Sequence, residues 1–289
     1  MHVVRAQYTD WHAAIYYESL LTSPPPSLYR LFYRLPRLHR SQEGAGLLVM
    51  CSYKPIFKYA EKHTVHCTLQ YVSAHDFDFE NIKRIAELAV EHDFIVLSDE
   101  IYSQITYDGF VHESITQFPG MKERTILLDG FSKTFAMTGW RMGYGAFPEH
   151  VAQVVAKLQT NCTSCTASFN QIAGIEALSE RTDPIAAEFV SEFKRRRDTI
   201  VNALNEMPGI RCHSPKGAFY VFPNIEATGM TSQEFADFSL YEAGVACLSG
   251  TAFGSYGEGF ARFSYANSVE NIEEAMRRLS AALESRNKK

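Results

Sequence analysis

Two short apolar runs, each followed at once by charged and hydroxyl residues, constrain this chain most. Phe-Ile-Val-Leu at 94–97 ends at Ser98, and Thr-Ile-Leu-Leu at 125–128 ends at Asp129. Apolar runs of this length with polar boundaries predict buried strands. The first run follows a segment, 79–91, whose apolar side chains repeat at helical spacing. A helix followed by a buried strand indicates an α/β layer.

The pattern changes after about residue 180, where a second set of elements is predicted. Asp183 and Pro184 predict the N-cap and first turn of a long amphipathic helix that ends at Pro208. Thr231 and Glu234 fit a capping box that opens another helix. Before this change, a third extended segment of the α/β layer is expected at 141–147. After it, extended segments are expected at 217–223, 245–248 and 260–265, with a final helix from residue 268. The elements after residue 180 form a small α+β domain in this interpretation.

Residues 1–75 are poorer in regular elements than the rest of the chain. They hold eight basic residues against four acidic ones, a net charge of 8 − 4 = +4. Only two short strands are predicted there, at 47–51 and 65–72. Three regions are therefore expected: an atypical leader at 1–77, part of a large α/β domain at 78–180, and a small C-terminal domain at 181–289.

The charge balance argues against several classes of protein. Lys and Arg number 28 and Asp and Glu number 33, so the net charge is −5. A mildly acidic chain is not typical of a dedicated nucleic-acid or membrane-surface binder. No apolar run approaches the roughly 20 residues of a membrane-spanning helix, and the first residues lack the apolar stretch of a signal peptide. We therefore expect a cytoplasmic enzyme with neither a nucleic-acid nor a membrane partner.

The cysteines predict free thiols. Six cysteines in 289 residues are too sparse for a disulfide scaffold. Cys162 and Cys165 form a C-x-x-C motif, but a zinc site would need a second pair or histidines at matching spacing. No metal site is therefore expected, and a metal-binding or redox pair remains the alternative.

Polar residues at the carboxyl ends of the predicted strands indicate a ligand site, because open α/β sheets bind ligands at that edge. Asp99 follows the first strand and Tyr102 lies three residues on. For Asp99 alone, a solvated strand end or a helix cap is the alternative. Lys133 follows the second strand, where it either steers an anion or, partly desolvated near Arg141, serves as a carbonyl-trapping amine. A carboxylate, a phenol, an amine and an arginine together suit pyridoxal 5'-phosphate (PLP).

Four motifs make the prediction more specific. They are Ser-Asp-Glu-Ile-Tyr at 98–102, Gly-Phe-Ser-Lys-Thr-Phe-Ala-Met-Thr-Gly-Trp-Arg-Met-Gly at 130–143, Pro-Lys-Gly-Ala-Phe-Tyr at 215–220, and Gly-Glu-Gly-Phe-Ala-Arg-Phe-Ser-Tyr-Ala at 257–266. In this order they resemble the signatures of class I/II PLP-dependent aminotransferases of fold type I. The resemblance extends from about residue 78 to about residue 284.

The resemblance implies a fold and a set of cofactor contacts. The fold would be α/β: a fold type I PLP-transferase large domain, incomplete and with a mostly parallel sheet, followed by the small α+β domain. Lys133 would be the Schiff-base lysine, Asp99 the partner of the pyridinium nitrogen, and Tyr102 the donor to the ring oxygen. Arg141 would bind the phosphate, with Ser132 as the nearest hydroxyl.

The resemblance also implies a substrate contact, an assembly and an activity. Arg262 would bind the α-carboxylate of the substrate, whereas a surface ion pair is the simpler interpretation of this residue alone. The assembly would be a homodimer. The activity would be transfer of an amino group between an amino acid and a 2-oxo acid.

The chain departs from the family before residue 78. Family members carry Asn-Pro-x-Asn-Pro-Thr-Gly upstream of the helix, and this chain has Gln-Tyr-Val-Ser-Ala-His-Asp at 70–76. We therefore expect an N-terminally shortened or rearranged member with a dimer weaker than usual. Two alternatives stay open: a non-catalytic relic or wrongly joined gene product of the family, and another fold type I reaction such as that of a lyase.

Overall fold

The computed structural model describes His12–Tyr16 and residues 79–287. Strand β1 (His12–Tyr16) is followed among the described residues by helix α1 (Phe79–Glu91) and by strands β2 (Val96–Asp99), β3 (Thr125–Gly130) and β4 (Gly143–Phe147). The predicted helix and the three extended segments around the first site residues are confirmed, although β2 begins at Val96 rather than at residue 94.

Helix α1 forms because its apolar side chains repeat on one face. Ile82, Ala86 and Ala89 are each 2% exposed, and they belong to one cluster with Val96 of β2 and Met121 of the following loop. Residues three and four apart share a helix face. The buried face of α1 therefore holds β2 in place and sets the position of its carboxyl end.

The first sheet has the strand order β1-β4-β3-β2. Strands β2 and β3 are parallel, with Asp99 opposite Leu128, but β4 is antiparallel to both of its neighbours. The α/β class is confirmed, while the expected mostly parallel pairing does not hold among the described strands. Parallel neighbours need a crossover, usually a helix. Between β3 and β4 the structure has only a short 3-10 turn, Thr138–Trp140, so the chain reverses direction.

Three helices follow the first sheet: α2 (Glu149–Cys162), α3 (Ser168–Ala177) and α4 (Asp183–Glu206). The long helix predicted after residue 180 is α4. Its proline lies in the first turn as expected, and it ends before Pro208. The N-cap is Thr182, so the assignment of Asp183 to that position was wrong by one residue.

The C-terminal part contains strand β5 (Tyr220–Val221), helix α5 (Ser232–Tyr241), strands β6 (Leu248–Ser249) and β7 (Ala261–Ser264), and helix α6 (Val269–Asn287). The strands form an antiparallel sheet in the order β5-β7-β6. The capping box of Thr231 and Glu234 is confirmed at the start of α5. The extended segment predicted at 217–223 is shorter, because only Tyr220 and Val221 form a ladder with β7.

The largest buried cluster lies between this small sheet and helices α4, α5 and α6. Leu204 of α4, Phe235 of α5 and Leu279 of α6 are each 0% exposed and pack with Phe263 of β7. This core supports β7, the strand that carries Arg262.

Among the described residues, none of the helices combines the length and the apolar character needed to cross a membrane. The strands predicted at 47–51 and 65–72 lie outside the described residues. Strand β1, within the predicted leader, was not foreseen.

Candidate active site

Asp99 lies at the carboxyl end of β2. Side chains alternate along this strand, so Ser98 is buried and Asp99 is partly exposed. The Asp99 Oδ1 accepts a hydrogen bond from the backbone N–H of Ile101 at 3.3 Å. The carboxylate is therefore fixed at the edge of the sheet where the sequence predicts a ligand site.

The adjacent carboxylate, Glu100, is part of a separate buried cluster. Its Oε1 accepts hydrogen bonds from the hydroxyls of Ser98 at 3.0 Å and Ser114 at 2.8 Å. Its Oε2 lies 2.8 Å from the Nε2 of His112. Because these partners bind both of its oxygens, Glu100 stabilises the turn after β2.

Tyr102, three residues after Asp99 in the sequence, is only 4% exposed. Its hydroxyl donates a hydrogen bond to the Tyr220 hydroxyl at 3.2 Å. Burial, reinforced by Tyr220 and by the charge of Asp99, raises the pKa of the phenol well above its usual range. Tyr102 therefore stays protonated and acts as a donor at neutral pH.

Lys133 follows β3 in a turn whose preceding residue, Ser132, is buried. The lysine is partly buried, and its Nζ lies 6.0 Å from the ring centroid of Phe219. The same ring lies edge-on to Tyr102, with centroids 5.2 Å apart. Phe219 thus contacts both the amine and the phenol that were singled out from distant parts of the sequence.

Arg262 of β7 lies over two aromatic rings. Its Cζ is 4.5 Å from the centroid of Tyr220 and 4.3 Å from that of Phe253. Burial lowers the pKa of the guanidinium, yet the group stays charged because its usual pKa is far above neutrality. Within the described residues Arg262 forms no ion pair, so the structure does not support the simpler interpretation as a surface pair. Stacking leaves the planar donor fork suited to a carboxylate.

Phe219 and Tyr220 are where the candidate residues meet. Lys133 and Tyr102 contact Phe219, while Tyr102 and Arg262 contact Tyr220. Sequence reasoning quoted this aromatic pair within a motif but gave it no role. The available signal was two consecutive aromatic residues in an extended segment, where one side chain faces each way.

Arg141 lies at the end of the short turn between β3 and β4. Its backbone is left-handed, with φ of 52°, and its Nη1 donates to the carbonyl of Thr138 at 3.0 Å. It lines an open cavity of about 550 Å³ whose other residues are Gly139, Trp140, Thr163, Cys165, Ala167 and Asn170. Neither Lys133 nor Asp99 is among the residues that line this cavity.

The C-x-x-C motif ends α2 beside the same cavity. Cys162 and Cys165 are free thiols and both are exposed. Among residues 12–16 and 79–287, no three metal-ligating side chains cluster together.

Asp129 is a group near the candidate site to which sequence reasoning gave no role. Its oxygens accept hydrogen bonds from the backbone N–H of Gly130 at 2.6 Å and from the hydroxyl of Tyr144 at 3.0 Å. Burial nevertheless raises the pKa of this carboxyl to about 7, and the charges of Glu100 and Asp99 act in the same direction. The available signal was the position of Asp129 near the carboxyl end of β3, because the same kind of position on β2 had indicated Asp99.

Replacing Asp129 with asparagine is expected to stabilise the protein at alkaline pH. The folded-state pKa lies above the ordinary value, so the folded protein binds this proton more tightly than the unfolded chain. Its stability therefore falls as the pH rises from about 4 to about 7. Asparagine cannot ionise, and above pH 7 it should add about 1–3 kcal/mol to the free energy of unfolding. Urea unfolding of both proteins at pH 5 and pH 8 measures the effect.

The exposed Asp237 provides the matched control, because its replacement with asparagine should leave the pH dependence of unfolding unchanged. If the Asp129 variant were equally or less stable than the wild type at pH 8, ionisation of the buried carboxyl would not destabilise the folded protein as predicted.

Comparison with known proteins extends these observations. The family model for class I and II aminotransferases matches residues 57–279. An aspartate aminotransferase of Pyrococcus abyssi is 47% identical over 205 residues, which are 71% of this chain and 52% of that protein. An aromatic-amino-acid aminotransferase of Thermococcus litoralis is 45% identical over 208 residues, 72% of this chain and 53% of that protein. The chain thus spans about half the length of the curated relatives it matches.

Solved structures agree with this result. An aromatic aminotransferase from Pyrococcus horikoshii superposes with a TM-score of 0.72 at 45% identity, covering 74% of this chain and 57% of that chain. The aspartate aminotransferase of Thermus thermophilus with maleate gives a TM-score of 0.69 at 32% identity, with 76% and 57% covered.

Proposed function

Because the chain belongs to the class I and II aminotransferases, we propose that it uses PLP to transfer an amino group between an amino acid and a 2-oxo acid. The observation that carries the proposal is the convergence of Lys133, Tyr102 and Arg262 on two consecutive aromatic residues, Phe219 and Tyr220. An amine, a protonated phenol and a carboxylate-binding fork at one place are the groups that amino transfer needs.

The donor set fits the aldehyde and ring ends of PLP. Lys133 supplies an amine for the aldehyde, Tyr102 a hydroxyl for the ring oxygen, and Asp99 a carboxylate for the ring nitrogen. The charge of Asp99 raises the pKa of Tyr102, which places the two groups within electrostatic reach of each other. For the phosphate, Arg141 and Ser132 are the residues of this chain that we assign.

Each residue has a defined task in the proposed reaction. When bound, PLP supplies an electron sink for the substrate α-carbon. Asp99 holds the proton on the ring nitrogen, and Tyr102 donates a hydrogen bond to the ring oxygen. Lys133 would take the proton of the substrate α-carbon onto its Nζ as general base and would then donate it from that atom as general acid. Arg262 binds the α-carboxylate and orients the amino acid.

The substrate class follows from the fork of Arg262 and from the relatives. Arg262 recognises any α-amino acid, so side-chain selection must come from other residues. The relatives are named for aspartate and for aromatic amino acids, and these are the donors that we propose first. In this assignment residues 78–180 bind the cofactor and 181–289 form the small domain.

We also propose a homodimer in the cytoplasm. Helix α3 exposes Phe169 and Ile172, each 69% exposed, and Ile175, 58% exposed. Apolar side chains of this number on one helix are typical of a surface that another polypeptide covers. Light scattering tests the assembly: a monomer at micromolar concentration would contradict the dimer.

Cofactor uptake is the direct test of the proposed function. Protein incubated with PLP should acquire a visible absorbance band that borohydride bleaches, and peptide mapping should then find the cofactor on the peptide that contains Lys133. Amino transfer from aspartate or an aromatic amino acid to 2-oxoglutarate should follow. A protein that takes up no PLP would support the non-catalytic alternative, and consumption of the amino acid without formation of glutamate from 2-oxoglutarate would support the lyase alternative.

A further inference from the structure

The aromatic pair of the candidate site is attached to a segment that crosses between the two sheets. Thr106 and Gly217 form an antiparallel bridge. The backbone N–H of Tyr107 donates to the carbonyl of Lys216 at 2.9 Å, and that of Ala218 donates to the carbonyl of Ile105 at 2.9 Å. The loop after β2 therefore pairs directly with the residues that precede Phe219 and Tyr220.

Ala218, directly before the aromatic pair, has an unusual backbone conformation. It is 0% exposed and has a left-handed backbone with φ of 58°, a conformation that a residue with a side chain rarely adopts. Its carbonyl accepts hydrogen bonds from the hydroxyl of Tyr265 at 2.9 Å and from the hydroxyl of Tyr107. Because this conformation is unfavourable locally, it persists only while its surroundings hold it.

A charged cluster also joins the two segments of the bridge, the one around Thr106 and the one around Gly217. Arg197 of α4 is 3% exposed, and its Nη1 donates to Asp108 Oδ2 at 2.6 Å and to the carbonyl of Pro215 at 3.1 Å. Its Nε and Nη2 donate to Asp198 Oδ1 at 2.9 and 2.6 Å. We call Arg197, Asp108, Asp198 and Pro215 the Arg197 clamp.

The geometry of the Arg197 clamp suits one guanidinium. A single planar fork reaches Asp108 at the end of one strand of the bridge and Pro215 at the end of the other. The guanidinium also lies 4.9 Å from the ring centroid of Tyr107. Lysine has the charge but lacks the fork and the planar face. The hydrogen bond from Arg197 holds the pKa of Asp108 below its usual value, so the clamp is charged at neutral pH.

We propose that Arg197 is a positioning residue for the candidate site. It joins the loop after β2 to the segment before β5 and so sets where Phe219 and Tyr220 lie. Through these two rings it fixes the distance between the Lys133 amine and the Arg262 fork. The catalytic part of this inference rests on the proposed function, whereas the structural part does not.

Amide hydrogen exchange on the full chain without cofactor tests the structural part. In Arg197→Lys, the amides of Tyr107 and Ala218 should exchange at least about tenfold faster than in the wild type. The amides of β7, which the clamp does not touch, should keep their rates. Asp108→Asn removes one contact from the partly exposed side of the clamp and should give the same local pattern. If Arg197→Lys does not fold, the exchange rates of Asp108→Asn test the structural part of the proposal instead.

The matched control is Arg195→Lys. Arg195 lies on the same helix, is exposed, and pairs only with Glu192 among the described carboxylates. This variant should behave as the wild type in every measurement. Unchanged exchange at Tyr107 and Ala218 in both clamp variants would overturn the proposal. Equal acceleration in β7 would do so as well, because it would show general destabilisation.

Kinetics with PLP and an amino acid donor test the catalytic part. Loosening Tyr220 displaces the ring under Arg262, so Arg197→Lys should raise KM for the amino acid about tenfold, with a smaller fall in kcat. A fall in kcat alone would indicate a smaller folded fraction and would overturn the positioning role. A protein that binds no PLP would end the proposed function and leave the exchange result standing, so the two failures are distinguishable.

Discussion

Lys133→Ala is expected to lose both the visible band with PLP and all measurable amino transfer. The side chain removed is the only amine that the described structure places against Phe219 beside Tyr102. Loss of a general base alone costs about 10²- to 10⁴-fold in rate, and loss of the covalent attachment adds to this. Absorbance spectra after dialysis against PLP and an assay with 2-oxoglutarate measure the two effects.

Two further variants give this prediction its controls. Lys157→Ala removes an exposed lysine of α2 and should retain the band and the activity. Arg262→Lys keeps the positive charge but loses the planar fork, so the absorbance band should remain. The value of kcat/KM should fall for every α-amino acid, and this fall should correspond to a loss of about 2–4 kcal/mol in transition-state stabilisation. A Lys133→Ala protein that kept the borohydride-sensitive band would move the cofactor-binding amine to another residue.

Gly250→Ala is expected to prevent stable folding of the small domain. A Cβ at this position would overlap the carbonyl oxygen of Gly257 and lie 2.7 Å from that of Phe260. Both obstacles are backbone atoms, and Gly250 is tied to Phe260 by an N–H to carbonyl hydrogen bond of 2.9 Å. Neither side can move without breaking the pairing of β6 with β7. The free energy of unfolding should fall by more than about 4 kcal/mol.

Urea unfolding followed by circular dichroism measures this loss, or soluble yield does if the variant does not fold. Gly139→Ala is the control, because no atom lies within 4 Å of the Cβ that it would add and its backbone angles suit alanine. It should change the stability by no more than about 0.5 kcal/mol. A Gly250→Ala protein as stable as the control would mean that the two loops are not in close contact.

Local signals in the chain predicted most of the elements correctly. The apolar period of α1 and the capping box of Thr231 and Glu234 involve residues within one or two turns of each other, so they operate before any tertiary contact forms. The apolar runs of β2 and β3 also placed Asp99 and Lys133 at strand ends. The boundaries were less accurate, as the short β5 shows, because pairing with β7 decides where that strand begins.

Other properties depended on contacts between distant segments. The antiparallel direction of β4 followed from the reversal of the chain after β3. The raised pKa of Asp129 results from burial by several elements together, which no local pattern reports.

The amino-acid sequence by itself therefore determined the class of fold, the order of the elements and the residue types available for amino transfer. The sequence determined these features because apolar periodicity, helix-capping residues and the polar residues that end a strand all depend on residues close together in the chain. Only the tertiary structure decided that Tyr220 joins Tyr102 to Arg262 and that Arg197 clamps the segment between them. Those contacts join residues between 18 and 118 positions apart in the sequence, and packing of the two sheets, rather than any local preference, selects them.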